Sequence, residues 1–288
     1  MNAIALNSSM FNGARVIGPA IAGVLVAWIG EGWCFFANAV SYIAVIVGLL
    51  LMRLVRTHIA EGKVSPFEHI AEGFRFARRT APIWTLLLLI GLVSLVAVPY
   101  SVLMPIFADG ILHRGARGLG LLMGATGVGA LLGAFTLAMR KGVRGLGRWV
   151  ALSSMGFGVS LILFSFSRWF WLSLILLLPV GYSMMLQMAA SNTLIQAMVP
   201  DRLRGRVMAL YSMMFMGMAP LGALFAGTVA QKLGAPVTVA IGGAGAIVGS
   251  ALFAFSLPKL RAEAHQLLMA QGMAAGEPAE QITARTIS

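Results

Sequence analysis

The stretch ALNSSMFNGARVIGPAIAGVLVAWIG, residues 5–30, returns later in the chain as ALYSMMFMGMAPLGALFAGTVAQKLG, residues 209–234. Aligned without a gap, the copies are identical at ten positions, among them Ser8/Ser212, Phe11/Phe215, Gly13/Gly217, Gly18/Gly222, Gly23/Gly227 and Gly30/Gly234. A composition rich in Ala, Leu, Gly and Met gives about two or three such matches by chance. The offset of 204 residues has room for six membrane-spanning helices. The repeat therefore predicts two six-helix halves, with the chain starting inside the first.

Composition points the same way. Of 288 residues, 59% are hydrophobic and 10% charged, and mean hydropathy is +0.89, a balance foreign to soluble domains of this size. An all-α polytopic membrane protein is expected, with the lipid bilayer as its first partner. A net charge of +12 would suit nucleic acid, but the basic residues sit in short runs between apolar segments. That is the pattern of membrane topology signals, so no nucleic-acid partner is expected. The single cysteine, Cys34, leaves no intrachain disulfide and no Cys-based zinc site.

Eight apolar stretches are long enough to cross about 30 Å of hydrocarbon at about 1.5 Å per residue. They cover residues 5–30, 33–53, 82–107, 118–139, 149–167, 169–195, 207–231 and 235–257. The connections alternate in charge. Arg53, Arg56, Lys63, Arg75, Arg78 and Arg79 occupy one, Arg140, Lys141, Arg144 and Arg148 the next but one, and Arg202, Arg204 and Arg206 a third, while the turns between are nearly neutral. With the tail included, sixteen of the 21 basic residues fall on one side and four on the other. The positive-inside rule makes the richer side cytoplasmic and places both termini there.

Four segments follow from this count. Residues 1–53 read as the last two helices of an N-terminal half, 54–81 as a cytoplasmic linker, 82–257 as a six-helix C-terminal half, and 258–288 as a cytoplasmic tail. In the linker, Ser65-Pro66-Phe67-Glu68 has the order of a helix start: Ser as N-cap, Pro at the first helical position and Glu closing a capping box. Phe67, Ile70, Phe74 and Ala77 then recur at helical spacing, with Glu68 and Glu72 early and three arginines late, as the macrodipole prefers. The segment reads as an amphipathic helix lying against the membrane, or as a solvated loop. Gly272, Gly276 and Pro278 predict a tail that is helical briefly and then disordered, with no folded domain.

The run Asn12-Gly13-Ala14-Arg15-Val16-Ile17-Gly18-Pro19-Ala20-Ile21-Ala22-Gly23 resembles the fifth helix of major facilitator superfamily exporters, whose antiporter motif has a Gly-Pro pair followed by small residues and Gly. Pro200-Asp201-Arg202-Leu203-Arg204-Gly205-Arg206 is similar to the basic loop before the eleventh helix in the branch containing the enterobactin exporter. The resemblance covers nearly the whole chain. It implies a partial major facilitator superfamily fold, in which the eight transmembrane helices are numbers five to twelve of twelve and the N-terminus is truncated. It further implies secondary active efflux of a siderophore- or drug-like small molecule from a bacterial cytoplasmic (inner) membrane by alternating access, with no cofactor and a coupling proton as candidate partner.

The superfamily's Gly-x-x-x-Asp-Arg signature belongs between helices two and three, in the absent part. Its second-half counterpart, Arg140 to Arg148, keeps the glycines and basic residues without an acid. Arg140, Arg144 and Arg148, together with Asp201, Arg204 and Arg206, are candidate residues of cytoplasmic gating loops, and an acid–base gate in the first of these loops is not expected.

Physical chemistry singles out the repeated span independently. Proline removes a backbone donor and kinks a helix, and Gly13, Gly18 and Gly23 leave hollows for a neighbouring helix. With Pro19, and with Gly217, Pro220, Gly222 and Gly227 in the second copy, they form a candidate hinge and packing set at the seam between halves. The alternative is the Gly and Pro content common to membrane helices. Gly120/Gly124, Gly129/Gly133 and Gly245/Gly249 read as close-packing pairs.

Arg15 lies about ten residues inside a span, where a cation costs roughly 2.5 kcal/mol or more. It faces an aqueous cavity or an anionic partner, or it snorkels to the headgroups. Asn12, Gln187, Asn192 and Tyr211 fall on spans that line the cavity in the resembled fold. Each is a substrate-cavity candidate or an interhelical hydrogen bond.

All nine acidic residues and all four histidines lie outside the span interiors, so a coupling acid must come from elsewhere or be Asp109 at the end of the third span. No nucleophile–base set, phosphate loop or metal-ligand cluster appears, which argues against an enzyme and against an ATP-driven pump with its motor in this chain. Two readings remain: a transporter, and a non-transporting membrane remnant or scaffold.

Overall fold

Proline and glycine set where the helices of this chain start, bend and touch. The computed structural model describes residues 32–33, 35–51, 66–140, 142–143 and 145–270. Asn12, Gly13, Arg15, Gly18, Pro19, Gly23 and Arg144 lie outside the described residues, as do the first expected span and residues 271–288. No strand occurs among the described residues.

The chain divides into two units, Met1–Pro66 and Phe67–Ser288. The first contains α1 (Phe35–Leu51), an apolar helix about 26 Å long at about 1.5 Å per residue. The helix α2 (Pro66–Arg79) starts at the boundary and runs into the second unit, where α3 (Ala81–Val96) follows. Between them Thr80 is extended, and its hydroxyl donates to the Phe76 carbonyl at 2.9 Å. Pro82, whose missing donor is harmless in a first turn, starts α3.

Proline then breaks the same span. Pro99 has no N–H to continue the ladder, so α3 stops at Val96 and the chain turns over residues 97–99. It resumes as α4 (Tyr100–Ile106), which contains Pro105 and runs into a π-helix at Phe107–Ile111. There the Leu112 N–H donates to the Phe107 carbonyl at 2.9 Å, five residues back. After it come α5 (Gly115–Ala138), α6 (Leu146–Phe166), α7 (Phe170–Met198), α8 (Asp201–Ser212), a second π-helix (Met213–Gly217), α9 (Met218–Leu233) and α10 (Ala235–Ala270). Gly234 joins α9 to α10 at φ 83°, a left-handed turn that a side chain would strain.

Among the described residues, six runs are long and apolar enough to cross a membrane: Ala81–Ile111, Gly115–Ala138, Leu146–Phe166, Phe170–Met198, Asp201–Leu233 and Ala235–Leu260. These are the six spans expected between 82 and 257, with one correction. Asp201, Arg204 and Arg206, expected in a loop, are helical. Asp201 suits the positive end of a helix, its carboxylate pairs with Arg204 at 2.6 Å, and arginine is a good helix former. Arg148 likewise belongs to the first turn of α6 rather than to a loop.

Glycine lets several of these helices meet backbone to backbone. A Cβ on Gly243 would lie 2.6 Å from the Gly158 carbonyl oxygen, and one on Gly158 would collide with the Gly243 carbonyl in return, so α10 and α6 interlock. Gly129 and Gly133 seat on the α7 backbone at Leu178 and Tyr182, and Gly181 seats on Thr126 of α5. Gly245 and Gly249 rest on Val96 and Leu92 of α3. Gly120 and Gly124 depart from the expected close packing, having nothing within 4 Å. At about 100° per residue Gly120 lies about 180° round α5 from Gly129, on the side away from α7. Aromatic rings complete the core: Phe107 stacks on Phe164 with centroids 4.7 Å apart, and Tyr100 meets Phe157 edge-on at 6.0 Å.

Candidate functional site

Pro220 cannot supply the helical hydrogen bond to Met216, and its ring crowds that carbonyl. The backbone widens just before it into the π-helix Met213–Gly217, a common device around such defects. This irregular stretch meets the other one: Phe215 of the π-helix and Val98 of the break between α3 and α4 line one void with Ile90, Val93 and Ser94 of α3 and Met184, Gln187 and Met188 of α7. The void is small: the centre of a water molecule reaches about 10 Å³ of it. That is the least space that holds a single water.

Two of its walls are polar and fully buried. Ser94 is 1% and Gln187 2% exposed, polar side chains set among apolar ones. Buried hydroxyls and amides are normally hydrogen-bonded, so two of them lining one void make it a candidate place for a ligand or a water.

The other sequence candidates fall around this point. Tyr211 is buried, and its hydroxyl donates to the Met188 carbonyl at 3.2 Å, which ties α8 to α7 one residue from Gln187. Asn192 accepts a hydrogen bond from Gln196 at 2.5 Å along α7. Five residues beyond Gln187, it lies about 140° round the helix and away from the void. Of the glycines in the second repeat copy, Gly222 seats on Leu95 and Pro99, Gly217 meets Met213 of its own span at 3.5 Å, and Gly227 has nothing within 4 Å. The sequence reading missed Ser94, although it is a lone hydroxyl deep in an apolar run. It also passed over Phe215 as a site residue, although the repeat keeps it.

At the basic end of the unit, Glu72 of α2 pairs with Arg202 at 2.9 Å and with Arg206. Beside it Gly73 lets the helices approach, since a Cβ there would stand 2.8 Å from the Arg206 Cβ. The connection before α3 and the one before α8 therefore meet at one end. The first expected gating loop is built differently: the Arg140 guanidinium lies over the Trp149 ring at 4.9 Å, and Arg148 is exposed. Asp109, in the first π-helix, is exposed as well.

Burial is uneven across the spans. In an 18-residue apolar window of each, 17% of Gly115–Ala138 and 22% of Asp201–Leu233 is buried within the structure, against 61% for Ala81–Ile111.

Six apolar spans, two of them interrupted by π-helices, are the architecture of a multi-pass membrane protein. Residues 1–283 match the transmembrane secretion effector family, to which the chain belongs. Over 261 residues it is 26% identical to the Staphyloferrin A transporter of Staphylococcus aureus (strain NCTC 8325 / PS 47). The match covers 90% of this chain and 64% of that protein, so the chain spans just under two thirds of the relative's length.

Proposed function

We propose that the chain forms the C-terminal half and part of the N-terminal half of a secondary active exporter, which moves a siderophore- or drug-like small molecule out of a bacterial cell by alternating access. The observation that carries this reading is the void at Ser94 and Gln187, where irregular backbone from two spans converges on buried polar side chains. Broken helices around a site near mid-membrane are how such transporters bind their substrates. A family of secretion effectors supports the outward direction, and a relative named for staphyloferrin A supports the siderophore class.

In this reading residues 82–257 make the C-terminal half and 54–81 link it to residues 1–53. Asn12 and Arg15 supply the first half's polar contacts to the substrate, and the glycines and prolines of the two copies supply the hinge. The membrane is the inner one with both termini cytoplasmic, and a proton is the candidate coupling ion.

Expression in cells that lack their own exporter tests this. Arg15→Ala and Gln187→Leu should each lower efflux at an unchanged level of protein in the membrane. Unchanged efflux of every siderophore and lipophilic cation tried, with and without the unaltered gene, would overturn the reading.

A further inference from the structure

The apolar side of α2 faces the protein itself. Gly73 and Ala77 are buried and Phe76 half-buried, while Glu72 is engaged by Arg202 and Arg206. At about 100° per residue the opposite side of the helix carries Ala71, Arg75, Arg78 and Arg79, with Phe74 at its margin. All five are exposed and line an open groove of about 520 Å³. None of the three guanidiniums has a carboxylate partner among the described residues.

The position of this face fixes its surroundings. Arg79 is two residues from Ala81, the first residue of a membrane span, so at most about 7 Å of extended chain separates them. Phe74 stacks edge-on against Trp84 of that span at 5.5 Å, as aromatic side chains do at the boundary between hydrocarbon and water.

We propose that Arg75, Arg78, Arg79 and Phe74 form a docking site for the headgroup of an anionic phospholipid. Guanidinium groups present paired donors that match phosphate oxygens. The phenyl ring lies where the glycerol and the first acyl carbons of a lipid would pass, a contact that a free phosphate ion could not use. The inference needs only that Ala81–Ile111 crosses the bilayer and is independent of what the protein transports.

Native mass spectrometry of the purified full chain, titrated in detergent with dioleoyl phosphatidylglycerol or dioleoyl phosphatidylcholine, is the test. The anionic lipid should be retained in preference to the zwitterionic one. At about fivefold per cation, R75Q/R78Q/R79Q should lose on the order of a hundredfold in apparent affinity at low salt, whereas R75K/R78K/R79K should keep the preference. Circular dichroism checks the fold; if the triple glutamine variant does not fold, Arg78→Gln alone should lose about fivefold. Equal retention of the two lipids, undiminished phosphatidylglycerol binding by the glutamine variants, or displacement of the lipid by equimolar inorganic phosphate would overturn the proposal.

Discussion

Replacing Gln187 with leucine, a side chain of similar volume, should stabilise the protein while removing transport. Gln187 is 2% exposed and lines the void with Ser94. A buried polar group left unpaired costs about 1–3 kcal/mol. The void has room for no more than about one water, and a water bridging Ser94 and Gln187 would recover part of that cost. The net gain from leucine is then about 1 kcal/mol, which for a protein of this size raises the melting temperature by about 2–4 °C. Thermal unfolding in detergent at one fixed scan rate measures the shift, and efflux from whole cells measures the function. A rise in stability with loss of efflux is the trade expected where a binding site is held unsatisfied for its ligand. A lower melting temperature would mean that the amide is already bonded. A higher one with unchanged efflux would remove Gln187 from the substrate path.

Glu72→Gln should lower stability by up to about 1 kcal/mol, since Glu72 and Arg206 are only partly shielded and Arg202 is largely exposed. The deficit should shrink between about 0.05 M and about 0.5 M salt; a deficit indifferent to salt would show that packing, not charge, is lost. Gly158→Ala should cost about 1–3 kcal/mol by forcing α6 off the Gly243 carbonyl and the Ile247 side chain. Gly120→Ala, with open space around it, should be neutral or stabilising by up to about 1 kcal/mol from helix propensity alone. Equal melting temperatures for the two alanine variants would contradict the packing described.

Hydropathy located the six spans of the second unit because each is an unbroken apolar run of sufficient length, and Pro66 marked the start of α2 because proline is favoured there and hard to place elsewhere in a helix. The beginning of α8 escaped it for a physical reason. Apolarity reports where a helix is in lipid, and the arginines at 202, 204 and 206 continue the helix beyond that depth. The site was half legible. Gln187 stood out as an amide in an apolar span and Pro220 as a breaker, but a void depends on which distant side chain arrives opposite. That Ser94 would be buried beside Gln187 rests on how α3 packs on α7, which no local pattern records. Tyr211 shows the limit from the other side: a polar residue on a cavity-lining span, it is tied to a carbonyl of the neighbouring helix.

The glycine seats also decide which part of the unit can move. Where a helix lies against another's backbone, as α5 does on α7 and α6 on α10, sliding would drive carbonyls into Cα atoms, and packed interiors resist such continuous deformation. The span Asp201–Leu233 is held otherwise. Glu72 grips it at Arg202 and Arg206, Tyr211 ties it to Met188, and Gly222 rests on Leu95 and Pro99. Between the tyrosine and the glycine lies the π-helix, whose Phe215 walls the void. In the proposed cycle the void must enlarge from the size of a water to that of a substrate. Shifting Met213–Gly217 outward achieves this without breaking a single backbone seat, whereas moving α7 would break those at Leu178, Gly181 and Tyr182. In that cycle Gln187 would stay in place on a helix locked by its seats, and the π-helix that carries Phe215 would be the wall that shifts.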